Sequence, residues 1–251
     1  MDELAELAEA GWRAAPVEVT PLGGGVVGRV RLVRWDDGSR CVVKTISDDG
    51  FGDPADTLEI EAEGLAALSA TGAVRTPRVL YVSPRVLVLE PLHESPTDGD
   101  FRAELGRRLA VLHTTTVGER FGWHRDGWLG RKRQDNTWND DGHDFVARQR
   151  LLRYLPEPRL RDALGPSDRR ALRRLCSRLP EILPVSPPVL THGDLWTGNV
   201  LATADGVPAL VDPAVCYGVA EMDLSMLWCA GRPEGMEGCF AAYQEISPLE
   251  D

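Results

Sequence analysis

The segment that most restricts what this chain can fold into is His192-Gly-Asp-Leu-Trp-Thr-Gly-Asn199, followed by Val211-Asp212-Pro213. For Asp194, Asn199 and Asp212 to act together, a tight turn, a short hairpin and a strand end must follow one another in that order. Phosphoryl transfer from ATP uses such a set: one Asp accepts the proton of the attacking hydroxyl, and an Asn and a second Asp hold magnesium. The reaction rests on positioning and charge neutralisation, so the groups must be few, fixed and close. The plainer reading is an H-G-D turn that closes a loop, an Asn in an Asx-turn and an Asp that ends a strand. Each residue taken singly fits that reading, whereas their joint order and spacing fit the chemistry. Asp194 is therefore expected as the base, with Asn199 and Asp212 as magnesium ligands.

Two features upstream point the same way. Gly23-Gly-Gly25-Val-Val-Gly28-Arg-Val30 fits a glycine-rich phosphate-covering loop, marking Gly23, Gly25 and Gly28. The run leads into a β-hairpin (Val30–Val33, turn at Asp36-Asp-Gly38, Cys41–Lys44), whereas a dinucleotide fingerprint would open a helix. Lys44 ends that hairpin, where a strand lysine contacts ATP phosphates and is held by a helix glutamate. Lysine is scarce here, with only Lys44 and Lys132 among 28 basic residues, so a lysine inside an apolar strand stands out. Glu61 is the expected partner and Glu63 its rival, the choice depending on helix phase.

The surrounding pattern predicts a helix over 56–70 ending at Thr71-Gly72, strands at 79–82 and 86–89, and a linker from Glu90-Pro91 to about Asp100. Phe101, Leu105, Leu109 and Leu112 mark a helix ending near His113. Residues 118–143 read as a long loop, 144–155 and 167–179 as helices. Short strands are expected at 189–191, 199–201 and 207–211, then a helix over 221–229. The fold class is α+β, two-lobed and kinase-like: residues 1–92 form a small β-rich nucleotide-binding lobe that ends in a hinge, and 93–251 a larger, mainly helical catalytic and substrate lobe.

A net charge of −11 opposes nonspecific binding to nucleic acid. The acidic N-terminus reads as an amphipathic helix rather than a secretory signal, and no run approaches a membrane span of ~18 apolar residues. A cytoplasmic protein without membrane or nucleic-acid partners is expected. The five cysteines have no paired spacing and read as small core residues. Trp123, Trp128 and Trp138 fit either lobe packing or a sugar site. His192 reads as a support of the catalytic loop, not as the base.

Taken together, Lys44, Glu61–Gly72 leading to Pro77, Leu105–His113, Phe121-Gly122, Asn136-Thr-Trp138, Arg150-Leu151, His192–Asn199, Asp212-Pro-Ala214, Tyr217-Gly218 and Glu221 resemble the fructosamine kinases, or ketosamine-3-kinases, over nearly the whole chain. The resemblance implies ATP and Mg2+ as cofactors and a small ketosamine, or a glycated protein lysine, as acceptor. Phosphate would go to the 3-hydroxyl, after which the adduct decomposes and frees the amine. It implies Asp194 as base, Asn199 and Asp212 on magnesium, Lys44 and Glu61 on ATP, and backbone groups of Glu90-Pro-Leu92 at adenine. Trp196 and Trp138 are the implied substrate contacts. The chain departs from the family in lacking a glycine-loop cysteine, so no redox switch is expected there. It also has Gly142 where tryptophan is usual, and stops soon after Gln244, where relatives continue with further helices. The competing readings are another small-molecule kinase of the aminoglycoside or choline type and an inactive nucleotide-binding pseudokinase. A protein kinase is disfavoured because Asp212-Pro-Ala replaces D-F-G and no A-P-E segment follows.

Overall fold

The computed structural model describes residues 7, 12, 15–23, 28–46, 56–96, 98–229 and 235–249. Gly25 and, apart from Leu7, the expected N-terminal helix lie outside them.

An antiparallel five-stranded sheet is built from β1 (Pro16–Leu22), β2 (Arg29–Trp35), β3 (Arg40–Thr45), β4 (Val79–Val82) and β5 (Val86–Leu89), in the order β1-β2-β3-β5-β4. The Asp-Gly turn closes β2 on β3. Gly38 takes φ +83, Trp35 N–H donates to Ser39 O at 2.9 Å, and the Asp37 carboxylate accepts from the Ser39 N–H at 2.8 Å. Alternation then sorts the side chains. Val33, Trp35, Cys41, Val43, Val86 and Val88 fill one face, while Val42, Leu87 and Leu89 turn to the other and meet α1 (Thr57–Ala70). Lys44 shares the parity of Val42, so it points at α1.

Helix α1 joins two cores. Leu58, Ala62 and Leu65 pack on the sheet, and Leu68 enters the large cluster of the helical region. It stops at Thr71, where Gly72 at φ +70 makes the left-handed exit that a side chain would resist. Beyond β5, the linker is tied by His93, whose N–H donates to Ala202 O at 2.8 Å while Ala202 N–H returns a bond to His93 O at 2.9 Å.

Helix α2 (Gly99–Thr115) starts at Asp98, whose carboxylate accepts from Phe101 N–H at 2.8 Å. It buries Phe101, Leu105, Leu109 and Leu112. Gly106 lets it run against α5 (Met236–Gln244): a Cβ there would stand 2.0 Å from Cys239 O. Between them come the hairpin β6–β7 (Gly127–Leu129, Lys132–Gln134), α3 (Pro166–Ser177), β8 (Val189–Thr191), the hairpin β9–β10 (Val200–Ala202, Pro208–Leu210), β11 (Cys216–Gly218) and α4 (Ala220–Met226).

Several expectations change. Residues 118–143 are not one long loop: they contain β6–β7 and pair Phe121 with Asn139 and Gly122 with Tyr217. The expected helix over 144–155 is a wide π-type run at Phe145–Leu151 followed by a 3-10 turn, with Arg150 stacked 4.3 Å above the Phe145 ring. Strands β1 and β11 and helix α5 are additions to the sequence reading. Four cysteines are buried as expected, whereas Cys229 is exposed.

Candidate active site

Lys44 is buried at 8% exposure, with its ammonium between two carboxylates. Nζ lies 2.6 Å from Glu61 Oε1 and also meets Asp212 Oδ1, so one cation joins β3, α1 and the segment after β10. Burial alone would favour neutral lysine, but the charges of Glu61 and Asp212 outweigh it and hold the ammonium protonated. Asp212 is likewise held ionised, Lys44 overcoming its burial. Burial pushes Glu61 upward against the pull of Lys44. The helix phase separates the two candidate glutamates, for Glu63 faces away and accepts from Trp123 Nε1 at 2.8 Å, with His124 Nε2 at 3.0 Å.

The H-G-D turn leaves β8. His192 is fully buried, and desolvation keeps its imidazole neutral. Its Nε2 lies 2.9 Å from Val211 O and its Nδ1 lies 3.3 Å from Asp194 N–H. The carbonyl can only accept and the amide only donate, which assigns the proton to Nε2. One ring thereby links the backbones just before Asp212 and at Asp194. Gly193 takes φ +79, and a Cβ there would stand 2.0 Å from Ala214 O, because Ala214 N–H bonds to His192 O at 2.8 Å.

Asp194 is partly buried. Desolvation and the nearby Asp212 charge push its carboxyl up to about 6, against the hydrogen bond from Asn199. Asn199 Nδ2 donates to Asp194 O at 2.8 Å and to Asp194 Oδ2 at 3.4 Å, which leaves its Oδ1 as an acceptor. Its backbone is fixed from both sides, by Trp196 O at 2.9 Å and Val211 N–H at 3.0 Å. Asp212 is the only non-glycine residue at positive φ (55) among the described residues, a strain typical of a side chain aimed for function.

The sequence reading passed over Asp223. It is completely buried on α4, where its Oδ2 accepts from His192 N–H at 2.7 Å and its Oδ1 from Gly193 N–H at 2.9 Å. His113 Nε2 lies 3.4 Å from Oδ2, and His113 Nδ1 lies 3.0 Å from Tyr243 Oη. Desolvation opposes the charge, yet His113 and the His192 N–H hold the carboxyl below the usual range. A fully charged residue amid the apolar part of Met222-Asp-Leu-Ser-Met226 was the available signal.

The other expected residues fall into separate places. Gly28 has φ +76 and closes on β3, where a Cβ would stand 2.1 Å from Thr45 O, whereas Gly23 has open space. The Glu90 amide is spent on Arg78 O at 3.0 Å and its side chain accepts from the Arg78 N–H at 3.2 Å. The Trp196 indole covers Gly198, whose Cβ would be 2.1 Å from the ring. Trp138 is 37% exposed and tilts over Tyr217 at 6.4 Å between ring centroids. With Gly118, Glu119, Arg120 and Tyr217 it lines a cleft of about 390 Å³. Phe121 occupies the room beside Gly142, its Cζ 2.7 Å from where a Cβ would be.

Comparison with known proteins identifies the family and the fold. The family model described as fructosamine kinase matches residues 5–251. A Synechocystis protein named as a ketoamine kinase is 35% identical over 198 residues, covering 77% of this chain and 65% of that protein. The chain thus spans just under two thirds of that relative. The chloroplastic protein-ribulosamine 3-kinase of rice (subspecies indica) is 31% identical over 241 residues, covering 92% of this chain and 67% of the rice protein. Among solved structures, one from Thermobifida fusca assigned to the fructosamine-3-kinases superposes with a TM-score of 0.87 at 32% identity, covering 100% of this chain and 85% of the other. A macrolide 2'-phosphotransferase type I superposes at 0.65 with 17% identity, covering 99% of this chain and 83% of the other, a likeness of fold alone.

Proposed function

This chain belongs to the fructosamine kinase family, and from that premise we propose that it moves the γ-phosphate of ATP to the 3-hydroxyl of a ketosamine, a small adduct or a glycated lysine of a protein. The observation that carries the reading is the convergence of the Lys44–Glu61–Asp212 ion cluster with the Asp194–Asn199 turn through His192. In this reading the sheet with its linker, residues 1–92, holds the nucleotide, and residues 93–251 hold the acceptor.

Lys44, kept charged by its two carboxylates, binds phosphate oxygens, and Glu61 holds the ammonium in place. The glycine loop of Gly23, Gly25 and Gly28 covers the phosphates with backbone N–H groups. At the linker, the Glu90 carbonyl and Leu92 N–H have no hydrogen-bond partner among the described residues and suit the edge of adenine, while Glu90 N–H is already engaged. Asp194 takes the proton from the acceptor hydroxyl. A carboxyl pushed up to about 6 is a stronger base than an ordinary aspartate and is still mostly ionised near neutral pH.

Asn199 Oδ1 and the Asp212 carboxylate are hard oxygen donors, the type magnesium takes beside phosphates and water. Bound there, magnesium would neutralise phosphate charge. The Asn199 amide is already oriented for this role, since its Nδ2 is committed to Asp194. Trp196 and Trp138 offer aromatic faces to the sugar.

Phosphate transfer from Mg-ATP to fructosyl-lysine, with ribulosyl-lysine, choline and kanamycin in parallel and products identified by mass, tests the reading. Phosphorylated ketosamine alone is expected, and Asp194→Asn should lower turnover by at least about 10²-fold while nucleotide binding persists. Transfer to choline or kanamycin instead, or near-normal turnover by Asp194→Asn, refutes it.

A further inference from the structure

The β6–β7 hairpin reaches out of the helical region and seizes one side of α1. Asp56 precedes the first turn of that helix, where an aspartate ordinarily accepts from its own helix amides, yet its side chain makes no such bond. It turns outward instead. Trp128 Nε1 donates to Asp56 Oδ1 at 2.9 Å, and Arg133 Nη1 donates to Oδ2 at 2.9 Å and to Oδ1 at 3.3 Å. The Arg133 guanidinium also lies 5.1 Å from the centre of the Trp128 ring, so the two donors brace one another. Two turns along, Glu63 is held from the same segment by Trp123 Nε1 at 2.8 Å.

The hairpin itself has a rigid base. Asn136 is buried, donates through Nδ2 to Arg125 O at 3.2 Å and accepts from Arg150 Nη2 at 2.6 Å. Arg150 Nη1 also donates to Asp135 O at 2.6 Å. Helix α1 is thus pinned at Asp56 and Glu63 by the catalytic region, while Glu61, lying between those points in sequence, reaches the opposite way to Lys44.

We propose that the β6–β7 hairpin is a clamp that sets the rotation of α1, with Asp56, Trp128 and Arg133 as positioning residues that deliver Glu61 to Lys44. The idea rests on the kinase reading of Lys44 and Glu61. Three chain segments otherwise far apart become one mechanical unit. Loss of the clamp should therefore act on nucleotide handling, although no clamp residue needs to touch the nucleotide.

The test is a double-mutant cycle between Arg133→Met and Glu61→Gln in the full chain. It is read by the affinity for a fluorescent ATP analogue with magnesium, by kcat and KM for ATP, and by hydrogen exchange of residues 57–70. Arg133→Met alone should weaken nucleotide affinity about tenfold and speed exchange in α1, Arg133→Lys should recover most of the loss, and Arg133→Met in the Glu61→Gln background should add less than about twofold. Trp128→Phe, which keeps a smaller aromatic ring and removes the N–H donor, provides a milder variant if Arg133→Met folds poorly. Losses that simply multiply across the cycle, or unchanged α1 exchange in both hairpin variants, overturn the clamp. Failure of the wild-type chain to phosphorylate ketosamine while it binds Mg-ATP overturns the substrate reading alone, because the affinity cycle still judges the clamp. A wild-type chain that does not bind Mg-ATP overturns both.

Discussion

Replacing Asp223 by Asn removes one charge and one acceptor from the centre of the catalytic region. Two backbone donors, His192 N–H and Gly193 N–H, now each have their own carboxylate oxygen, at 2.7 and 2.9 Å. The amide keeps one oxygen and sets an NH2 group against the other donor. A buried donor left without an acceptor costs about 1–3 kcal/mol, and the weakened bond to the formerly charged group adds to that, so a loss of roughly 2–4 kcal/mol is expected. That is a sizeable part of a stability of about 5–15 kcal/mol, yet the chain should still fold. Asp194 follows Gly193 directly, so the shifted turn moves the proposed base as well. A displacement near 1 Å is enough to lower kcat by about 10²-fold. Chemical denaturation should be combined with steady-state turnover measured well below the unfolding midpoint. The pH dependence has a definite sign: the folded carboxyl lies below its unfolded value, so its stabilisation is complete above the ordinary Asp range near ~4 and is lost only as pH falls through the folded value. The stability gap between wild type and Asp223→Asn should stay level from about pH 8 to about pH 5 and narrow below about pH 4. A variant within about 0.5 kcal/mol of wild type and within about twofold in kcat would refute the argument.

Two further perturbations follow from the same geometry. Lys44→Met strands Glu61 and Asp212 near each other without their cation. Affinity for Mg-ATP should fall by at least about tenfold, as read by calorimetry, and unchanged affinity would remove Lys44 from the phosphate site. Gly193→Ala meets both a positive φ and the Ala214 carbonyl, so melting should show a loss of at least about 1–2 kcal/mol, with turnover falling further than the fraction unfolded explains. A variant of wild-type stability would show that the turn relaxes freely.

Strand period and turn chemistry are local, which is why β2, β3, β4 and β5 and the placing of Lys44 at the end of the hairpin were legible in the sequence. The glutamate choice was not, because Glu61 and Glu63 differ by two positions in one helix, and only the packing of Leu58, Ala62 and Leu65 on the sheet fixes its phase. Asp223 was hidden for another reason. An acid in the first turn of α4 looks like an ordinary exposed partner of the helix dipole, and its burial appears only when α2 and α5 close over it with His113 and Tyr243. Residues 118–143 lack a periodic apolar pattern because they are held by side-chain bonds instead. Asp56 lies 72 residues from Trp128 and 77 from Arg133, too far for any sequence pattern to join them.

The ion cluster at Lys44 also bears on how the proposed site can hold both a lysine and a magnesium ion. A carboxylate has two oxygens, and Asp212 gives Oδ1 to Lys44. Its left-handed backbone, at φ 55, turns the side chain at the end of the β9–β10 hairpin toward β3 instead of along the strand. His192 holds the preceding carbonyl, so the backbone that carries Asp212 is tied to the same ring that meets the Asp194 N–H. The arrangement therefore couples charge to position. Anything that draws Asp212 from Lys44 acts on Glu61 at once, because the ammonium then has one carboxylate where it had two. It acts on Asp194 as well, because the Asp212 charge is one of the causes that lifts its carboxyl to about 6.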